Sequence, residues 1–199
     1  ILIGLVGSEM CIRDSLYLVE FADWNSQSKI GRGYVDSNNG ALASGGTDSM
    51  TYHTGRASGT DGKTAVQYRH IENPWGNVFE WIDGVNFNGG TVYMCTDRTK
   101  YADDTANGYT NIGTKSQSDG WIKSIGIPAA APWAFFPTAT GGSETTYIPD
   151  YAWYNGGWRV LRVGGDWNYG SRAGLFYFCA GDVSGGSYSN IGARLLFHP

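Results

Sequence analysis

GGDWNYGSRAGLFYFCAGDVSGGSYSNIGARLLF, residues 164–197, is the stretch whose reading decides what kind of chain this is. Two pieces of it read as frame: Ala173-Gly174-Leu175-Phe176, and the apolar run from Ile191 to Phe197, which is of strand type. The residues before and between them follow neither the two-residue period of a strand nor the 3.6-residue period of a helix. They are Asp, Asn, Tyr, Ser, Arg, Phe, Cys, Ala and Gly. Aromatic anchors mixed with small polar residues on an irregular segment are what paratopes use. Rigid rings supply contact area there, and Ser, Gly and Asn supply adaptable hydrogen bonds. The segment therefore reads as a binding surface over a fixed frame. Its candidate contacts are Asp166, Asn168, Tyr169, Arg172, Tyr177, Phe178, Cys179, Ala180, Asp182 and Tyr188, expected to be exposed on one contiguous patch. Tyr177 and Phe178 are the expected energetic anchors, since buried aromatics dominate interface hot spots.

Outward from that stretch, composition sets the class. The chain has 199 residues, with 30 Gly, 13 Tyr and 8 Trp, and only 16% of it is charged. That is long enough for one domain with a sizeable core, and the balance suits a loop-rich β or α+β domain of extracellular or virion type. A net charge of -4 without Lys/Arg runs is not a nucleic-acid footprint. No stretch approaches the roughly 18 apolar residues that would span a bilayer. Cys95 and Cys179 are far apart in sequence and specify no disulfide framework, so a bond between them stays open.

The N-terminus reads differently. Leu5 to Ser15, LVGSEMCIRDS, fits in one frame the translation of a transposase-type sequencing adapter. A signal peptide fits less well, because there is no basic n-region and no apolar run of useful length before Ser8-Glu9. Residues 1–15 are accordingly expected to be adapter-derived and to make few contacts, with the domain spanning 16–199 and a further N-terminal region preceding it.

Within the domain, Leu16–Phe21 alternates as a first strand would, and Ala65–Tyr68 and Trp158–Val163 also read as strands. Helices should be few, at Ile71–Asp83 or within Ala22–Ile30. Asp103-Asp104 reads as a solvated turn. The aromatic-rich IENPWGNVFEWIDGVNF, Ile71–Phe87, reads as core, with Gly76 allowing close backbone approach. Trp75, Trp81, Trp158 and Trp167 are expected to be buried.

Two sets of residues carry a resemblance. Gly164-Gly165, Trp167, Gly170, Ala173–Phe176 and Ile191–Leu196 resemble the C-terminal repeat of diversity-generating retroelement variable proteins. The GNVFEW motif, Gly76–Trp81, resembles the signature of the formylglycine-generating-enzyme superfamily, whose version of the C-type-lectin-like fold those variable proteins share. The resemblance implies an α+β, C-type-lectin-like fold with short strands and few helices, and a variable segment at about 164–197 copied from a template with randomised adenines. An Asn codon so randomised never yields Lys, Glu, Gln, Met or Trp, and none of these occurs from Tyr177 to Asn190. The superfamily also implies a structural calcium near Asn77 and Glu80, whose oxygens suit that ion but fall short of its 6–8 ligands.

The catalytic sets that related enzymes use are incomplete in this sequence. The two cysteines of the formylglycine-generating enzymes would fall near Tyr169 and Gly174, where no thiol stands. The three-histidine iron site of the related sulfoxide synthases has only His53, His70 and His198 to draw on, without metal spacing. The Glu-Pro-Asn and Gln-Pro-Asp tripeptides of calcium-dependent lectins are missing; Glu72-Asn73-Pro74 has the wrong order. The expected function is non-enzymatic binding, without cofactor, of a protein or carbohydrate receptor on a bacterial surface. The expected carrier is a phage tail on the virion, with a trimer built through a preceding region among the arrangements the resemblance allows. A surface-displayed bacterial variable protein, a formylglycine-generating-enzyme-like protein or a lectin-like carbohydrate binder is the alternative.

Overall fold

The computed structural model describes residues 5–194, with side chains from Met10 onward. The described residues begin with strand β1 (Leu5–Val6), helix α1 (Gly7–Phe21) and a single helical turn, α2 (Ser26–Lys29). Strands β2 (Gly55–Arg56), β3 (Val66–Tyr68) and β4 (Ile71–Glu72) form a small antiparallel sheet. The main sheet contains β5 (Phe79–Asn88), β6 (Thr91–Met94), β7 (Thr110–Thr114), β8 (Gly120–Gly126) and β9 (Phe136–Thr140). It is completed by β10 (Ile148–Tyr154), β11 (Trp158–Gly164), β12 (Gly174–Asp182) and β13 (Ile191–Gly192). Its order is β7-β6-β5-β11-β12-β10-β8-β9, with β1 and β13 both pairing in parallel along β5. The described residues are thus mostly β, loop-rich and poor in helix, as expected.

Helix α1 corrects two expectations at once. Leu16–Phe21 is its second half, not a strand. The buried Met10, Cys11, Asp14 and Tyr17 recur at helical spacing and form one face, a period visible only when the residues before Leu16 are included. Those residues also make core contacts. Met10 and Cys11 join Ile82, Leu161, Val163 and Phe178 in the largest apolar cluster. Arg13 bonds Asp14 at 2.8 Å and the Leu175 carbonyl at 3.3 Å, and stands 4.0 Å from Glu80. Burial pushes the Asp14 carboxyl up to about 6, and it pushes up Asp150, which accepts the Phe176 N–H at 2.7 Å. Ile1 to Gly4 lie outside the described residues.

The helix expected at Ile71–Asp83 is instead β4, a turn and the start of β5. Asn73, Gly76 and Asn77 all have left-handed φ, which no α-helix tolerates in such density. A Cβ on Gly76 would stand 2.7 Å from the Tyr34 carbonyl oxygen, so the backbone approach there requires glycine. Helix α2 falls within the expected 22–30. The strands expected near Ala65–Tyr68 and Trp158–Val163 are present.

β12 overturns the reading of its segment as irregular. Gly174 to Ala180 are all buried. Phe178 and Ala180 face the cluster beneath α1, while Tyr177 and Cys179 pack with Phe79 in a separate one. A strand covered on both faces is apolar throughout, so its two-residue period vanishes from the sequence. Of the four tryptophans assigned to the core, only Trp75 is fully buried; Trp81, Trp158 and Trp167 are half-buried. All three cysteines are free and buried. Leu195 to Phe197, the end of the expected last strand, lie outside the described residues.

Candidate functional site

The sheet face opposite α1 gathers an unusual set of side chains. In register, Trp81 of β5 lies opposite Arg162 of β11, Arg162 opposite Cys179 of β12, and Cys179 opposite Trp153 of β10. Residues opposite one another share a face, so these four make one row across four strands. On β10, Tyr151 is two residues before Trp153, and its partner on β8 is Trp121. β5 reaches this face through a bulge at Gly84, where φ is +79° and a Cβ would come 2.8 Å from the Cys95 carbonyl oxygen. Across it the register jumps from Asn86–Val160 to Ile82–Leu161, which keeps Ile82, Val85 and Phe87 inside.

The floor of the face is Phe79, Tyr177 and Cys179, with half-buried Tyr151, Trp153, Tyr169 and Ile191 around them. Rings meet edge-on or tilted: Phe79–Tyr169 at 4.9 Å, Tyr169–Tyr177 at 5.5 Å, Tyr151–Trp153 at 5.0 Å and Trp121–Tyr151 at 5.6 Å. The exposed guanidinium of Arg172 lies 5.2 Å from the Tyr151 ring centre. Beneath, Arg162 lies over the Phe79 ring, pairs with Asp182, and approaches Cys179 Sγ at 3.5 Å.

The titratable groups of this face are held in fixed forms. Burial pushes up both the Cys179 thiol and the Tyr177 hydroxyl, so both stay protonated and Cys179 is a poor nucleophile. The Arg162 charge is compensated by Asp182. At the margin, burial lowers Lys115 to about 8, and its Nζ donates to the carbonyls of Ser116 at 2.6 Å and Trp153 at 3.2 Å. The arrangement offers contact area and hydrogen-bonding edges for recognition.

The ten residues expected to form one exposed patch divide. Tyr169, Arg172 and Asp182 border the face, while Tyr177 and Cys179 form its buried floor. Phe178 and Ala180 point the other way, into the core, because strand neighbours alternate. Asp166 is buried, and its carboxylate holds the loop by accepting the Asn168 N–H at 3.1 Å and Asn190 Nδ2 at 2.7 Å. Asn168 and Tyr188 are exposed, on the loops before and after β12. Five of the ten, Asp166 and Tyr177 to Ala180, are therefore frame. Trp121, Tyr151, Trp153 and Arg162 were missed as site residues, and Trp81 was placed in the core. The Tyr151-x-Trp153 alternation was the available signal.

Of the oxygens proposed for calcium, Asn77 Oδ1 and one of the two Glu80 carboxylate oxygens have partners within the protein. Glu80 is buried, bonded to Arg194 and near Arg13. The Asn77 side chain exchanges hydrogen bonds with the Leu42 backbone at 2.7 and 3.3 Å. His53 and His70, read as isolated, stack at 3.6 Å with their planes 22° apart. Rings so nearly parallel cannot aim both in-plane lone pairs at one metal. His198 lies outside the described residues.

No protein-family model matches this chain, and no curated protein is significantly similar to it.

Proposed function

We propose that this chain is a non-enzymatic ligand-binding domain of C-type-lectin-like type, related in kind to the variable proteins of diversity-generating retroelements. Its ligand would seat on the aromatic and arginine face of the main sheet. The observation that carries the reading is the row Trp81–Arg162–Cys179–Trp153, extended by Tyr151, Trp121, Tyr169 and Arg172. Trp, Tyr and Arg are the residues that dominate binding hot spots, and all but Tyr169 and Arg172 here stand on strands, which hold a contact surface more precisely than loops do. The contact residues under this reading are Tyr169 and Arg172 with the neighbouring Trp and Tyr side chains, while Asp182, the counter-charge of buried Arg162, supports them. A diversified position must tolerate many side chains, so the buried Tyr177, Phe178, Cys179 and Ala180 serve as support. The receptor would be a protein or carbohydrate on a bacterial surface, and the carrier a phage tail.

The test is adsorption of the fluorescently labelled chain to a panel of bacterial strains. Binding to a subset of strains is expected, reduced by about tenfold or more (about 1.4 kcal/mol) in Arg172→Glu and in Trp153→Ala. Tyr52→Ala, at an exposed position away from this face, should bind as the parent does. Equal binding by all four chains would refute the assignment.

A further inference from the structure

A second concavity, of about 420 Å³, opens between α2, the segment around β2 and the loop between β9 and β10. Its lining residues are distinct from those of the aromatic face. Among the described residues that line it, Pro149 alone is apolar; most of the others, such as Asn25, Ser28 and Thr145, carry a hydroxyl or amide group. Apolar ligands are held by hydrophobic and aromatic walls, and this cleft has none.

Its three charged residues are committed to different degrees. Arg32 is tied to Asp36 and to Gln27 Oε1 at 3.4 Å. The Gln27 amide is itself anchored, donating to the carbonyls of Gly170 at 2.9 Å and Ala173 at 2.7 Å. Glu144 Oε2 accepts the Ser171 hydroxyl at 2.7 Å, which fixes the carboxylate, and Glu144 lines the cleft. The exposed Arg56 guanidinium has no hydrogen-bond or ion-pair partner among the described residues. Arg32 senses the Glu144 charge without an ion pair forming between them.

These commitments select a ligand. A ligand that places two negative groups inside the cleft is disfavoured, because Asp36 already neutralises Arg32 and Glu144 would repel the second of them. One carboxylate suits Arg56, whose planar fork takes both carboxylate oxygens. Glu144, an acceptor only, suits a hydroxyl donor several ångströms away, and the hydroxyl and amide walls can exchange hydrogen bonds with more hydroxyls. We propose that this cleft binds an acidic sugar unit of uronate type, with its carboxylate on Arg56 and ring hydroxyls on Glu144. The unit could arrive as a free sugar acid or within an acidic polysaccharide.

The experiment is calorimetric titration of the full chain with glucuronate and with a linear oligouronate, against glucose and acetate as controls. Glucuronate should bind at least about tenfold more tightly than either control, because only it engages both Arg56 and Glu144. Arg56→Gln should weaken it by about tenfold or more, and Glu144→Gln by a smaller factor. Both positions are exposed, so both variants should unfold at the parent's midpoint. Tighter binding of the oligouronate identifies a polysaccharide source, and equal binding a free acid. Trp153→Ala, on the aromatic face and outside the cleft lining, should leave uronate binding unchanged, so the cleft and the aromatic face stand or fall separately. Glucuronate binding no better than glucose, or Arg56→Gln binding like the parent, overturns the proposal.

Discussion

The guanidinium of Arg162 lies 4.2 Å from the centre of the Phe79 ring while Asp182 clasps it from the end of β12. The arginine side chain is nine-tenths buried, so the pair fastens the rim of the aromatic face to its floor. Removing one partner of such a pair strands the other charge. Asp182→Ala should therefore cost about 3 kcal/mol, measured by urea unfolding. An unchanged midpoint would show that Arg162 needs no counter-charge.

Two sets of substitutions within one segment should behave oppositely. Phe178→Ala removes a ring packed against Phe87 at 5.7 Å and should cost roughly 3–5 kcal/mol. Asn168→Ala, Arg172→Ala and Tyr188→Ala combined should stay within about 1 kcal/mol of the parent, as changes at exposed positions do. A stable Phe178→Ala protein would return that residue to the binding surface.

A chain starting at Leu16 should be less stable than the full one. It loses the buried Met10 and Cys11 and the Arg13–Asp14 pair, at a cost of about 3 kcal/mol or more. For a domain of this size that lowers the thermal midpoint by roughly 6–12 °C. An equal midpoint would mean that the residues before Leu16 contribute nothing to the core.

What the sequence disclosed, and what it hid, follows from where each period lies. Trp158–Gly164 and Val66–Tyr68 announce themselves through β-branched and aromatic runs, and Trp75 sits where the aromatic motif puts it. β12 stayed hidden because a strand buried on both sides has no polar face to mark alternation. α1 stayed hidden because half of its apolar face precedes Leu16, so six residues alone passed for a strand. In the site, Arg172 and Tyr169 were legible as polar-aromatic loop residues. Tyr151 and Trp153 were not, since only the parallel pairing of β10 with β12 brings them beside Cys179.

Lys115 gives a pH dependence whose sign is fixed. Burial pushes its ammonium from 10.5 down to about 8, so folding favours the neutral amine. The associated stability is fully present above pH 10.5 and is lost as the pH falls through 8. Between pH 8 and 9.5 the parent should gain on the order of 2 kcal/mol from this group, and Lys115→Met should abolish that gain. A flat parent profile in chemical denaturation over this interval would refute it.

Along one flank of β5, Ile191 and Gly192 lie opposite Phe79 and Glu80, and Leu5 and Val6 opposite Ile82 and Asp83, all in the same direction. The last strand thus points into the first across a gap of roughly 7 Å, and the two read as a single strand cut at one place. A circular permutant that joins the two ends through a short linker and opens in the exposed glycine-rich loop after β12 would restore that strand, and a larger protein could carry the domain as an insertion held at one point.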